Sequence, residues 1–189
     1  LNEVRPEMRR QAKATNFGIL YGQGAHGLSQ NADIPYVQAK EFIEQYFKIY
    51  KGVKKFMDET IELARGRGYA ETLFGRRRFL PEINSSVMQM RKAAERMAIN
   101  TTIQGTGADI IKAAMIRIQE LIDKDYQSGQ IKMLLQVHDE LVFEVRDNLV
   151  KKMAGEIKEI MESVIKLKIS LAVDASAGDN WGEMEAITN

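Results

Sequence analysis

The chain has 189 residues, 44% hydrophobic and 28% charged, and its net charge of +1 is uneven: residues 139–189 hold eleven acids against six bases, a net of −5 that leaves +6 on residues 1–138. That length supports one domain or two subdomains with a true core, and a basic majority beside an acidic remainder suits phosphate backbones and a divalent-cation site. Cysteine is absent, which excludes disulfides and thiolate metal sites and suits a reducing cytoplasm; no apolar run approaches the ~20 residues of a membrane span, Leu1-Asn2-Glu3-Val4-Arg5 is no secretion signal, and without an initial Met the chain reads as cut from something longer.

The first predicted helix carries Arg9, Lys13, Phe17 and Tyr21 at intervals of four, closed by Gly22 and Gly24. Each step of four overshoots a turn by about 40°, so the four side chains form a gently spiralling stripe. Two cations followed by two aromatics suit a ligand with a polyphosphate at one end and a flat ring at the other. The same spacing fits an amphipathic helix with a solvated basic end and a buried aromatic end. Gly18 has no packing use on a helix and costs about 1 kcal/mol against Ala; it makes sense if a flat ring passes close to the backbone beside Phe17. Arg10 lies about 100° round the helix from Arg9 and reads as a solvent or DNA contact.

Gly22 to Gly27 reads as a flexible turn. Pro35 opens a second helix whose apolar side is Val37, Phe42, Ile43, Tyr46 and Phe47; Gly52 breaks it, and Val53, Phe56, Met57, Ile61 and Ala64 begin another stripe. From Gly66 to Pro81, glycines and proline punctuate short extended pieces joined by a tight turn. Its Arg76-Arg77-Arg78 run reads as a solvated or salt-bridged surface, with backbone phosphate contact at best.

Residues 86–124 contain no proline, and Met90, Ala94, Met97, Ala98, Ile103, Ile110, Ala114 and Ile118 predict a long buried helix, bent or closely approached at Gly105 and Gly107. Arg96, Asn100 and Gln104 make a polar stripe on it. Buried polar groups need partners; a bound duplex offers minor-groove acceptors common to all base pairs, and an internal stripe tying two helices is the alternative.

Ile131–Val137 and Leu141–Val145 flank His138-Asp139-Glu140 and predict a hairpin. Asp139 and Glu140 projected from a tight turn form an oxygen-rich site for a hard cation, of the kind that phosphoryl transfer uses in pairs. An Asp in a hairpin turn also simply bonds its own backbone. Leu149, Met153, Ile157, Ile160, Met161 and Val164 predict an amphipathic helix, and Ile169–Val173 a closing strand; there is no repeat or low-complexity tract.

Three strings carry a resemblance. Arg9-Arg10-Gln11-Ala12-Lys13-Ala14-Thr15-Asn16-Phe17-Gly18-Ile19-Leu20-Tyr21-Gly22 resembles the nucleotide-binding helix of family A DNA polymerases, Glu95 to Asp109 resembles their long palm helix, and Gln136-Val137-His138-Asp139-Glu140-Leu141-Val142 resembles their catalytic hairpin. Arg76-Arg77-Arg78 before Phe79-Leu80-Pro81 also matches, as does Trp181, expected as packing. The resemblance covers essentially the whole chain. It departs at Gln23-Gly24, where the family usually has a different pair, and at Thr102, where a proline is more usual.

The resemblance implies an α+β chain: a mainly helical fingers portion over residues 1–84, then a palm portion over 85–189 with long helix, antiparallel hairpin, helix and closing strand. It implies template-directed addition of deoxynucleotides to a primer 3′ end by two-metal phosphoryl transfer, in DNA replication or repair, in the cytoplasm at the nucleoid. Arg9 and Lys13 would hold the triphosphate, Phe17 the sugar and base, and Tyr21 the template position. Arg96, Asn100, Gln104, Gln136 and His138 would contact primer-template DNA. Asp139 would be a direct ligand of magnesium, two ions serving the complete site, with Glu140 in a lesser part; Lys13, Asp139 and Glu140 form the catalytic set. The family's other catalytic aspartate lies in a strand upstream of the nucleotide-binding helix, and no such strand precedes Arg5. The thumb is also expected upstream. The chain alone is therefore expected to be inactive without that upstream polymerase segment. A non-catalytic DNA- or nucleotide-binding module is the alternative.

Overall fold

The computed structural model describes residues 4–187. The fold is α+β, mainly helical with small antiparallel sheets, and it divides into two compact units, Leu1–Thr106 and Gly107–Asn189.

In the first unit, α1 (Pro6–Leu20) begins on a proline, whose missing N–H costs nothing in a first turn. It leads to α2 (Ala25–Ala32), α3 (Tyr36–Ile49) and α4 (Lys51–Arg67). Ile19, Leu28 and Ala39 form the core where α1, α2 and α3 meet, with Ile43, Tyr46 and Phe47 partly buried against it. Helix α4 stops at Gly68, whose φ of +76° suits a left-handed cap; its N–H donates to the Ala64 carbonyl at 2.8 Å. β1 (Tyr69–Glu71) pairs antiparallel with β2 (Arg77–Phe79), and a 3-10 turn at Pro81–Asn84 leads to α5 (Met88–Asn100) and a π-helical turn at Thr101–Gly105. Ala64, Ala70, Leu80, Ile83, Ala94 and Ala98 bury the faces of α4, the hairpin and α5.

The second unit follows α6 (Thr106–Asp125) with β3 (Ile131–Val137), β4 (Glu140–Val145), α7 (Val150–Ser163) and two short antiparallel strands, β5 (Ser176–Ala177) and β6 (Glu185–Ala186). Ala114, Ile118, Ile122, Ile131, Met153 and Val164 form its core. Burying a side chain such as Ile118 or Met153 contributes about 1.5–3 kcal/mol.

Several expectations need correction. Gly22–Gly27 is mostly helix: only Tyr21–Gly24 turns, and α2 starts at Ala25. Val37 and Phe42 are 65% and 49% exposed, while the fully buried residue of α3 is Ala39. The break between α3 and α4 falls at Tyr50, and Gly52 sits in the first turn of α4. The 86–124 region is helical with a π turn near its glycines, but Met90, Met97 and Ile103 are exposed. Ile169–Val173 belongs to no strand among the described residues, and the closing β structure lies later, at β5 and β6.

Candidate nucleotide and nucleic-acid site

Helix α1 presents the predicted stripe to solvent. Arg9 and Lys13 are exposed, Phe17 is 42% exposed and Tyr21 is half-buried. The aromatic end is therefore not the core of the helix; Ile19 is, at 1% exposure. The Phe17 and Tyr21 rings stack with centroids 6.1 Å apart and 16° between planes, and Lys13 Nζ lies 5.9 Å from the Phe17 centroid. The stripe is thus a ladder of cation, ring and ring, with Phe17 partly open to solvent.

The far end of α1 is fixed by the polar stripe of α5 and its π turn. Gln104 Nε2 donates to the Tyr21 hydroxyl. Gly22 has φ +81°, which favours glycine, and a Cβ there would also crowd Arg96 Cγ at 3.0 Å. Arg96 and Gln104 thereby meet the end of α1. The third member, Asn100, keeps its Oδ1 buried without a partner, as does the neighbouring Thr101 Oγ1. Sequence periodicity did not single out Thr101.

Other contacts that escaped sequence reading hold α1 in place. The Tyr46 hydroxyl donates to Asn16 Oδ1 at 2.7 Å, and burial, with the Tyr50 ring beside it, raises that phenol above its usual range. Gln23 N–H donates to the Gly18 carbonyl at 2.8 Å. A Cβ at Gly18 would lie 1.9 Å from Gln23 Oε1, so this glycine does have a packing use, contrary to expectation. In the π turn, Thr102 Oγ1 donates to the Ala98 carbonyl at 3.3 Å, and the Thr102 carbonyl accepts from Thr106 Oγ1 at 2.6 Å. A Cβ at Gly105 would meet Thr72 Cγ2 at 2.7 Å, which is the close approach its position suggested.

The arginine run is part of a stacked and bridged surface. Arg77 lies 4.7 Å over the Tyr69 ring and donates from Nε to Glu71 Oε2 at 2.8 Å, a bond that raises its already high pKa. Arg78 Nη2 lies 3.6 Å from Met97 Sδ. Deeper in the unit, the Glu95 carboxylate accepts from Arg65 Nη2 at 2.6 Å and Lys92 Nζ at 2.8 Å. Burial pushes its pKa up, but the bonds and charges of Lys92 and Arg65 outweigh burial and hold it below 4.5.

In the second unit the hairpin turn is shorter than expected. His138 and Asp139 alone make it, and Glu140 is the first residue of β4, opposite Val137. His138 adopts φ +54°, a conformation that two-residue hairpin turns demand, and its carbonyl accepts from Gln136 Nε2 at 2.5 Å. A bulge between Met133 and Leu135 shifts the register. Gln136, His138, Asp139 and Glu140 are all exposed. No three His, Cys, Asp or Glu side chains gather into a metal-holding group among the described residues. Magnesium takes one or two carboxylates and fills the remaining positions with water and phosphate oxygens, and the exposed Asp139 carboxylate at the turn, with Glu140 next in the chain, is of the kind that it takes. Trp181, expected in packing, is half-exposed.

The family model described as DNA polymerase family A matches residues 1–183. The chain belongs to DNA polymerase family A. It is 48% identical over 178 residues to the thermostable DNA polymerase I of Thermus thermophilus, covering 94% of this chain and 21% of that protein. It is 46% identical over 180 residues to DNA polymerase I of Bacillus caldotenax, covering 95% and 20% respectively. The solved structure of the POL domain of Pol1 from M. smegmatis, in complex with DNA primer-template and dNTP, is 43% identical and superposes with a TM-score of 0.85, covering 90% of this family A chain and 30% of that one. The chain thus spans about a fifth of the length of the curated relatives it matches. No helix among the described residues is long and apolar enough to cross a membrane.

Proposed function

We propose that this chain is the fingers portion (residues 1–84) and the larger part of the palm (85–189) of a DNA-directed DNA polymerase that extends a primer 3′ end with deoxynucleoside triphosphates. The observation that carries this is the solvent-facing ladder of Arg9, Lys13, Phe17 and Tyr21 on α1, in a chain belonging to DNA polymerase family A. Arg9 and Lys13 neutralise the triphosphate, Phe17 lies against sugar and base, and Tyr21 stacks at the template position. Arg96, Asn100 and Gln104 read the shape of the terminal pair from the minor groove, where the acceptors are common to all pairs. Gln136 and His138 lie against the primer end. That the related Pol1 domain was solved with primer-template and dNTP supports these partners.

Asp139 would hold magnesium, with Glu140 beside it; a pair of such ions would supply activation of the attacking hydroxyl and charge neutralisation at the leaving phosphate. The second aspartate and the thumb come from an upstream polymerase segment. The alternation of Leu167, Ile169, Leu171 and Val173 with polar or small residues, beside a groove of about 980 Å³ between α7 and residues 165–175, supports a place where such a segment adds a strand. We assign the work to replication or repair synthesis at the nucleoid. A non-catalytic DNA- or nucleotide-binding role is favoured by one observation only, that Asp139 and Glu140 have no third metal-holding partner among the described residues. Primer extension with magnesium separates the two: polymerase function requires that adding the upstream segment produce extension lost in Asp139→Ala, and a mixture that binds DNA without extending it refutes it.

A further inference from the structure

Gln23 follows the left-handed turn at Gly22, and its side chain has a definite place in the structure. Its side chain is inserted between two helices that both present bare backbone to it. A Cβ at Gly18 of α1 would lie 1.9 Å from Gln23 Oε1 and 3.1 Å from Cδ; a Cβ at Gly27 of α2 would lie 2.9 Å from Cγ and 3.1 Å from Nε2. Real Cβ atoms essentially never come within 3.0 Å of a neighbour, so a side chain at Gly18 would displace the carboxamide end of Gln23 and one at Gly27 would press on its Cγ. The Gln23 N–H also donates to the Gly18 carbonyl at 2.8 Å, and the chain reverses at Gly22 with φ +81°. Main chain and side chain of one residue therefore lock onto the same turn of α1. Glycine weakens a helix relative to alanine, yet both helices carry one at this contact. The core of this joint is small, Ile19, Leu28 and Ala39 being its fully buried side chains, so steric fit has a large share in setting the angle.

We propose that Gln23 is a positioning residue: wedged between Gly18 and Gly27, it fixes the tilt of α1 on α2 and thereby the presentation of the Arg9–Lys13–Phe17–Tyr21 ladder to a nucleoside triphosphate. This rests on the nucleotide-binding role proposed for α1. The leverage is unequal along the helix. Phe17 and Tyr21 lie within one turn of Gly18, whereas Arg9 is nine residues away, about 13 Å along the axis. A tilt of about 10° about Gly18 moves the Arg9 backbone by roughly 2 Å and the rings far less. Errors of about 1 Å in positioning are enough to cost large factors. Disturbing the wedge therefore costs phosphate recognition more than base stacking.

The test is a double-mutant cycle in the 189-residue chain, read by thermal melting and by binding of fluorescent N-methylanthraniloyl dATP, with unlabelled dATP and dAMP as competitors. Gly18→Ala should lower the melting temperature and weaken dATP binding at least tenfold, with dAMP weakened less. Gly27→Ala should do the same in milder form. Adding Gln23→Ala to either should restore melting and dATP binding to the level of Gln23→Ala alone, because the new methyl then fills the vacated space. If Gly18→Ala loses nucleotide binding equally with or without Gln23, the glycine serves a passing base and the proposal is overturned. Coupling in melting without coupling in dATP binding makes the wedge structural only and also overturns it. No dATP binding by the unmutated chain, with the melting coupling intact, refutes the nucleotide role of α1 instead, and with it the positioning role.

Discussion

Replacing Glu95 with glutamine probes the one buried carboxylate that ties α4 to α5. Its side chain is 6% exposed and accepts from Arg65 at 2.6 Å and Lys92 at 2.8 Å. Orphaning a fully buried charge costs about 3–5 kcal/mol, but here the survivors are not buried: Arg65 and Lys92 are 39% and 58% exposed and turn to water. The loss is then that of charge-assisted bonds, about 1.5–3 kcal/mol each before solvent screening at their exposed ends. Glutamine keeps the shape and one acceptor oxygen. The net cost should be about 1–2 kcal/mol, or roughly 4–12 °C in melting temperature for a unit of this size. Because the folded carboxyl titrates below its ordinary 4.5, its contribution is present above the unfolded value and is lost as pH falls through the lower, folded one. Melts followed by circular dichroism should therefore show the wild type and Glu95→Gln separated at pH 7 and converging below the ordinary glutamate range. Equal melting temperatures at pH 7, or an undiminished gap at pH 3, would refute the electrostatic account of this anchor.

Three further outcomes concern the proposed polymerase function. Lys13→Ala, in the enzyme reconstituted with its upstream segment, should weaken triphosphate binding and slow incorporation by the equivalent of about 1.5–3 kcal/mol, measured by single-nucleotide kinetics; unchanged kinetics would make α1 a purely structural helix. Phe17→Tyr should relax discrimination against dideoxynucleotides, because a phenol lends an oxygen near the missing 3′-hydroxyl and a phenyl cannot; competition assays giving the same ratio for both proteins would count against Phe17 at the sugar. The 189-residue chain alone should bind DNA weakly and salt-sensitively without extending a primer in magnesium. Robust extension abolished by Asp139→Ala would mean that another acid, such as Asp174 or Asp179, completes the pair.

The parts of the fold legible in the sequence are those whose causes are local or strongly periodic. Pro35 before α3, the glycine-punctuated hairpin of β1 and β2, and the alternating runs of β3 and β4 each carry their own determinants, and the structure has them. Burial was legible where long apolar stripes meet a broad core, as at Ile118, Met153 and Val164. It was misread on α3, where Ala39 is buried and Val37 and Phe42 face water: hydrophobicity ranks side chains by what burial would gain, whereas a close helix crossing selects the smallest one. Helix α2 escaped because its eight residues include Gly27, Ser29 and Asn31, poor helix formers held there by packing on Leu28. Ile169–Val173 has the alternation of a strand, but alternation specifies only the faces; a strand also needs a neighbour, which no described residue provides.

Gly18 shows the same boundary at the level of the site. In the sequence, a glycine inside a helix between Phe17 and Ile19 says that something must come close to the backbone. Steric exclusion is symmetric, so a passing base and a neighbouring side chain impose the same requirement on that position. The residue that occupies the space, Gln23, is five positions away across a left-handed turn at Gly22, outside any helical repeat that would bring it to notice. A second glycine, Gly27, faces the same amide from α2. Each residue of this triad, taken singly, reads as a breaker or a spacer; together they form a joint, because the side chain inserted between them takes the space that a Cβ would occupy on either helix. A cation–aromatic ladder can be read from one helix because its logic is contained in one helix. The angle at which it meets a ligand belongs to the joint.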